Sequence, residues 1–257
     1  MFNKDVLTKT EGMKPQNYHS QTDSHLLQQA IVVGCPDARQ PAYELVRSLA
    51  AAGYLNKFIT GYYDKSSLPR NLISQLGSKG RSLDTVLARR TIDGATGQQV
   101  ISVPSYDLFL RSEKVVGKFS SKLRVGLARR RTAKFDKKLA QVVPHSARSG
   151  AKVALFFSDV GSVYAMKSAR QSGLKTVLSM VTGHMDEEME ILEREKKRSP
   201  RFFPAYLGDG SLDLDEMRWL HNRRRLDLQQ ADLVLVPSQH IAREVIRRSM
   251  VPADRVR

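Results

Sequence analysis

The segment 231–256 constrains the fold most, because it predicts a buried strand, a sharp turn and a helix in immediate succession. Residues 233–236 form a short apolar run that is half β-branched, which is typical of a strand covered on both faces in a parallel sheet. Pro237 ends that strand, because proline has no amide hydrogen to donate to a neighbouring strand. Ser238 is then a favourable N-cap for the helix, whose apolar residues recur at helical spacing.

Similar apolar runs alternate with helical patterns through the rest of the chain. Two strands joined by a helix within one sheet run parallel, with a right-handed connection. The alternation therefore predicts an α/β fold: a doubly wound, Rossmann-like parallel sheet with helices on both faces. The other predicted strands are residues 30–34, 57–60, 100–103, 153–157 and 176–180.

The helical patterns lie between these strands and complete one domain over residues 30–257. The first 29 residues are polar and lack periodicity, so we expect a disordered or loosely attached tail there. The predicted helices before the last strand are residues 41–52, 81–90, 108–143, 161–172, 186–198 and 214–230.

The composition bears on partners and compartment more than on fold. The formal net charge of +16 is compatible with nucleic acid, anionic lipid or phosphorylated small molecules as partners. The single cysteine, Cys35, excludes an internal disulfide framework and fits a reducing cytoplasm. No apolar run approaches the roughly 20 residues that span a bilayer, and no signal peptide is visible.

Several sequence signatures of nucleotide and metal sites are missing. Neither a Gly-rich P-loop nor G-x-G-x-x-G follows any predicted strand, which argues against a P-loop nucleotidase or a nicotinamide dehydrogenase. The six histidines are scattered, and H-x-x-x-H does not occur, so we expect no metal site.

Residues 231–256 resemble the end of the N-terminal domain in retaining glycosyltransferases of family four, which have the GT-B fold. In that family an alanine–aspartate pair precedes four apolar residues and a proline–serine pair, and Ala231, Asp232, Pro237 and Ser238 match it. Met250 replaces the glycine that usually ends the helix. Other stretches that are similar to the family are residues 30–63, 156–195 and 224–227.

The resemblance implies one lobe of a two-lobed enzyme. Such enzymes transfer a sugar from a nucleotide-diphosphate sugar to a hydroxyl acceptor, here a lipid-linked or polysaccharide precursor, with retention at the anomeric carbon. The N-terminal lobe mainly takes the acceptor, and the C-terminal lobe binds the donor. We therefore expect this chain to be the acceptor-side part of a longer, truncated protein, and to be nearly inactive alone. The resemblance implies no metal and no cofactor besides the donor substrate.

The resemblance also implies that His184 is a catalytic residue. It follows a predicted strand and a glycine, so it belongs at the carboxyl edge of the sheet. An imidazole there can bond a hydroxyl of the transferred sugar as a neutral acceptor or a charged donor. The alternative is a loop histidine that is satisfied by local backbone groups.

Further candidates for substrate binding come from the strand ends. The loop after the first strand contributes Gly34, Asp37 and Arg39, whose guanidinium suits a phosphate. Asp159 is a candidate for an acceptor hydroxyl, but a cap on the following helix is the favoured interpretation. The remaining candidates are Ser238, at the end of the last strand, and Glu195, which the family pattern implies. For Glu195 a solvated helix face, with Glu190 paired to Arg194, is favoured.

Residues 118–138 form a basic amphipathic segment with two open interpretations. The segment either lies on anionic lipid, with Arg129, Arg130 and Arg131 as contacts, or packs on the sheet as an ordinary helix. Nucleic acid ranks third, because no nucleic-acid motif accompanies the charge. We expect a cytoplasmic protein, peripheral at the inner membrane face if the lipid interpretation holds. The rival to the enzyme is a non-catalytic α/β module that binds anionic lipid or nucleic acid.

Overall fold

The computed structural model describes residues 28–37, 40–63, 90–92, 94–161, 163–201, 214–249 and 251–257. Within these residues six strands form one sheet, and all neighbouring strands are parallel. This architecture confirms the predicted doubly wound, Rossmann-like α/β fold. The strands are β1 (Ile31–Gly34), β2 (Leu55–Thr60), β3 (Val100–Ser102), β4 (Val153–Phe157), β5 (Lys175–Ser179) and β6 (Leu233–Leu235).

The strands form where short apolar runs are covered by helices on both faces of the sheet. In β1, at the centre, the side chains of Val32 and Val33 have no exposed surface. All six predicted strands are confirmed, and their ends differ from the prediction by at most two residues.

The strand order is β3-β2-β1-β4-β5-β6. The chain moves outward from β1 to β3 and then returns to place β4 beside β1, so the winding direction reverses between these two strands. In open α/β sheets, ligands bind in the crevice at the carboxyl ends of the strands where such a reversal occurs. The topology therefore predicts a ligand-binding crevice at the carboxyl ends of β1 and β4.

Helices cover the sheet, and two of them differ from the prediction. The pattern over residues 108–143 is two helices, separated at residues 117–120, and the helix expected from residue 161 begins at Ala165. The predicted helix 81–90 lies outside the described residues except for Arg90, as does the predicted tail except for its last two residues. The helices are α1 (Gln40–Ala51), α2 (Ser105–Val116), α3 (Ser121–Arg148), α4 (Ala165–Gln171), α5 (Met185–Arg198), α6 (Leu214–Gln230) and α7 (Gln239–Ser249).

Helix α3 continues past Pro144, where the sequence pattern predicted that it would end. Proline removes the hydrogen bond to the carbonyl four residues earlier, which belongs to Ala140. The hydroxyl of Ser168 on α4 donates to that carbonyl oxygen at 2.9 Å. The neighbouring helix therefore satisfies the group that the proline leaves open, and α3 reaches Arg148.

Helix α3 packs on the sheet only with its second half. A Cβ atom on Gly34, the last residue of β1, would lie 2.8 Å from Cδ2 of Leu139, so the helix passes close to the strand end here. Helix α3 leads into β4 and therefore runs opposite to the strands. Its residues before Leu139 consequently extend beyond the carboxyl edge of the sheet, over about 27 Å at 1.5 Å per residue. Together α2, residues 117–120 and α3 form a helical hairpin that projects from this edge.

The outer side of β6 also has a neighbour in the sequence that follows α7. Val256 forms an isolated parallel bridge with Val234, and the amide of Arg257 donates to the carbonyl oxygen of Val234. The segment 231–256 thus ends in a further strand-like contact beside β6. None of the helices in the described residues is long and apolar enough to span a membrane.

Candidate functional site

A cavity of about 430 Å³ opens at the reversal point between β1 and β4. Pro36 and Asp37 line it from the end of β1, and Ser158 and Asp159 from the end of β4. The projecting hairpin forms a second wall, and α6 forms the third. The volume is in the range of small-molecule sites, and the position is the one at which this class of sheet binds ligands.

The cavity combines ionic groups of both signs with aromatic rings. Its carboxylates and guanidiniums are equal in number, so their formal charges cancel. Tyr106 from α2 and Trp219 from α6 add two ring surfaces. The ionic side chains are Asp37, Glu113, Asp159, Arg124, Arg131 and Arg224.

Asp159 is held in an unusual backbone conformation at the floor of this cavity. Its φ angle is +69°, a left-handed conformation that few residues other than glycine adopt. Its amide donates to Oδ2 of Asp227 at 2.9 Å, and its carbonyl accepts from Nη2 of Arg223 at 2.9 Å. Its carboxylate pairs with Nε of Arg224, which lies 3.2 Å from both oxygens. Helix α6 therefore fixes both the backbone and the side chain of Asp159.

The predicted capping role of Asp159 is wrong, because Asp136 on α3 caps helix α4. The carboxylate of Asp136 accepts from the amides of Val163 at 3.0 Å, Tyr164 at 3.1 Å and Ala165 at 2.8 Å. Asp136 has no exposed surface. Burial raises the pKa of this carboxyl group, and the three amides partly offset that effect. With the cap supplied from α3, Asp159 is left to face the cavity.

Arg131 is part of the cavity wall and not of a membrane-facing surface, which corrects its assignment as a membrane contact. Its Nε donates to Oε1 of Glu113 at 2.5 Å and its Nη2 to Oε2 at 3.1 Å. Only 13% of the Arg131 side chain and 9% of the Glu113 side chain are exposed. The guanidinium also lies over the ring of Tyr106. Burial and the nearby Asp37 raise the pKa of Tyr106, so its hydroxyl remains protonated near neutral pH.

Of the three arginines proposed to contact membrane, Arg129 and Arg130 are exposed. The guanidinium of Arg129 lies 5.8 Å from the ring centre of Trp219. The three consecutive arginines therefore have different environments, because a helix turns by about 100° per residue.

His184 lies at the carboxyl edge of the sheet, after β5, as predicted, but its ring is engaged within the lobe. Nδ1 of His184 accepts from the amide of Asp186 at 3.3 Å, and this hydrogen bond caps α5. Nε2 lies 2.7 Å from Oγ of Ser249 on α7. The ring lines a second cavity of about 240 Å³. Arg224 lines both cavities. The sugar-binding role of His184 stays a prediction.

Burial lowers the pKa of His184, so the folded chain binds fewer protons at this ring than the unfolded chain. Its contribution to stability is complete above the ordinary pKa of about 6.5 and is lost as the pH falls through the lower folded pKa. We expect His184→Asn, which can still cap α5, to flatten the fall in unfolding free energy below about pH 6.5. Urea unfolding of both proteins across this pH range measures the difference. An unchanged slope would contradict it.

The other predicted site residues lie apart from the cavity or have structural roles. Gly34 is buried against Leu139 and Phe156, so it serves helix–sheet packing and lines neither cavity. Arg39 lies outside the described residues. Ser238 is exposed, and its hydroxyl accepts from the amide of Ile241 at 3.3 Å, which confirms the predicted N-cap.

Glu195 is exposed on α5, as the solvated-face interpretation required. The ion pair expected beside it is wrong. Glu190 bonds Arg248 of α7, at 2.6 and 2.8 Å, and not Arg194. Helix α5 is thus tied to α7 by a pair of charged side chains.

Sequence reasoning missed the residues that shape the cavity from the helices. Glu113 and Trp219 belong to segments that the sequence marked only as helical, and Arg131 was assigned to a lipid surface rather than to a cavity. Asp136 carried a usable signal, because it is the one acidic residue in α3 and stands beside the buried Phe135 on the apolar side of the helix. A lone acid in such a position predicts a buried partner.

The described residues contain no group of three or more His, Cys, Asp or Glu side chains arranged to hold a metal ion. No protein-family model matches the chain. Curated proteins likewise include no significant match.

Proposed function

We propose that this chain is the acceptor-side lobe of a retaining glycosyltransferase that uses a nucleotide-diphosphate sugar as donor. The cavity between β1 and β4 would hold the acceptor, and a second lobe would hold the donor. Support comes from the resemblance of residues 231–256, the parallel sheet with its reversal point, and the chemistry of the cavity.

The charge-balanced, aromatic cavity is the observation that carries the proposal. A sugar is neutral, carries many hydroxyl groups and has apolar C–H faces. Carboxylates such as Asp37 and Asp159 accept from hydroxyl groups, and guanidiniums such as Arg224 donate to them. The ring of Trp219 offers an apolar surface with a polar edge. A site for a strongly anionic ligand would instead show an excess of cationic groups.

Asp159 is the residue that we assign to the acceptor hydroxyl. It stands at the carboxyl edge, where its backbone is fixed by Asp227 and Arg223 and its carboxylate by Arg224. A carboxylate that is already oriented holds a hydroxyl in position for attack without an ordering cost. Arg224, which lines both cavities, would then link the acceptor side to the His184 side.

The rival is a non-catalytic basic module that binds anionic lipid or nucleic acid. Such a module needs only an accessible cationic surface, and a cavity in which carboxylates and guanidiniums are balanced adds nothing to its binding. The cavity therefore favours the enzyme. Sugar transfer itself requires the donor lobe, so we expect the chain alone to release little or no nucleoside diphosphate from nucleotide sugars.

Trp219 is the only tryptophan in the chain and lines the cavity, so it reports directly on binding there. We expect its fluorescence to change saturably when the protein is titrated with a panel of monosaccharides, disaccharides and saccharide phosphates. Asp159→Asn should weaken the binding of the responding saccharide by about 10- to 100-fold, because it removes a charge-assisted hydrogen bond.

Glu195→Gln is the matched control, because this carboxylate is exposed on α5 away from the cavity lining. Its saccharide affinity should equal that of the unchanged protein. If no saccharide alters Trp219 fluorescence, or if Asp159→Asn and Glu195→Gln weaken binding equally, the acceptor assignment fails.

A further inference from the structure

The tip of the projecting hairpin, residues 114–123, carries three of the four most exposed large apolar side chains of the described residues. Val115 is 60% exposed, Phe119 85% and Leu123 63%. Leu108, on the adjoining part of α2, is 67% exposed. Elsewhere in the described residues no large apolar side chain exceeds 46%. An apolar cluster on a projecting element marks an interaction surface, because its exposure to water is unfavourable.

Lysines alternate with these apolar residues in a regular pattern. A lysine directly precedes each of Val115, Phe119 and Leu123, so a lysine–apolar pair recurs every four residues. These lysines are Lys114, Lys118 and Lys122. All three lysines are exposed, and among the described residues none has an acidic side chain within ion-pair distance.

The acidic residues of the hairpin face inward: Asp136 of α3 caps α4, and the two acidic residues of α2 are paired. Asp107 pairs with Arg90 at 2.8 Å and also accepts from the amide of Tyr62 at 2.5 Å. Glu113 pairs with Arg131 in the cavity wall. The outer surface of the hairpin is consequently cationic and apolar, while its carboxylates are neutralised on the other side.

We propose that the hairpin tip docks on an anionic lipid bilayer. Val115, Phe119 and Leu123 would enter the boundary between headgroups and acyl chains, and the lysines would reach back to the phosphates with their flexible stems. Nucleic acid would engage the lysines but leave the aliphatic side chains in water. The site differs from the Arg129–Arg131 segment, whose last member is turned into the cavity.

Docking in this way would bring the cavity to the membrane. Leu110 and Glu113 of α2 line the cavity, while Leu108 and Val115 of the same helix are exposed. The hairpin is therefore a single element with the cavity on one side and the lipid-binding tip at its end. This inference goes beyond sugar transfer, because binding to lipid can be measured without turnover.

The test is co-sedimentation of the full chain with vesicles. We expect binding to vesicles of phosphatidylcholine mixed with phosphatidylglycerol, and little binding to phosphatidylcholine alone. The apolar variant Val115→Ser/Phe119→Ser/Leu123→Ser and the charge variant Lys114→Gln/Lys118→Gln/Lys122→Gln should each lower the partition coefficient at least about 10-fold. All six side chains are exposed, so the variants are expected to fold, and circular dichroism verifies that they do.

Lys138→Gln/Lys152→Gln/Lys167→Gln is the matched control for charge, because these exposed lysines lie outside the tip. It should retain most of the binding. Equal losses in the control and the tip charge variant would reduce the effect to net charge and overturn the proposal. Unchanged binding by the apolar variant would do the same, as would a tip that binds nucleic acid or a second copy of the chain but not vesicles. Failure here leaves the saccharide titration of Trp219 unaffected, so the two proposals are tested separately.

Discussion

Replacing Asp136 with alanine is expected to lower the free energy of unfolding by about 3–5 kcal/mol. The substitution removes the acceptor for the amides of Val163, Tyr164 and Ala165, of which the last is fully buried. It also removes a negative charge close to Arg223, a buried guanidinium. Buried donors without an acceptor and a buried cation without compensation are among the most destabilising consequences of a single substitution. Denaturant unfolding measures the loss.

Asp136→Ala should also change amide exchange locally, because Asp136 caps a single helix, α4. The amides at residues 163–165 should exchange with solvent faster in Asp136→Ala than in the unchanged protein, because the first turn of α4 loses its cap. Asp136→Asn keeps one accepting oxygen and should retain part of the stability. Asp254→Ala, at an exposed carboxylate, serves as control and should stay within about 0.5 kcal/mol. A loss in Asp136→Ala that is no larger than in this control would contradict the capping role.

The sheet could be predicted from sequence because each of its strands is a separate, local signal. A run such as Val153–Phe157 is apolar at every position, and only a strand covered on both faces accommodates such a run at that length. Even the parallel orientation follows, since the connecting helices dictate it. The position of the site at the strand ends was likewise predictable, because it depends on topology rather than on particular side chains.

The walls of the site could not be predicted, because they depend on contacts between residues that are distant in sequence. Asp159 was expected to cap the helix next to it, and the sequence does not indicate that Asp136, on another helix, reaches the same amides. Arg131 could not be distinguished from Arg129 and Arg130 in a basic run. Only the packing of α2 against α3, which places Glu113 opposite Arg131, separates them.

Arg131→Met should cost about 3–5 kcal/mol of unfolding free energy, whereas Arg130→Met should cost less than about 0.5 kcal/mol. Both substitutions remove one positive charge from the same run of α3. The difference between their unfolding free energies therefore reflects only the surroundings of the two side chains. In Arg131→Met the carboxylate of Glu113 stays 9% exposed and loses both of its guanidinium bonds. Arg130 is exposed, and methionine retains the helix propensity of that position.

A second substitution decides whether the loss arises from the unpaired carboxylate. Replacing a whole buried ion pair with apolar side chains of similar volume is often neutral, although removing one partner is costly. We therefore expect Arg131→Met/Glu113→Leu to recover most of the stability that Arg131→Met loses. Its vesicle binding should match that of the unchanged protein, because neither residue belongs to the hairpin tip. If Arg130→Met and Arg131→Met were equally stable, or if the double variant were less stable than Arg131→Met, the buried pair would not be the element that holds α2 against α3.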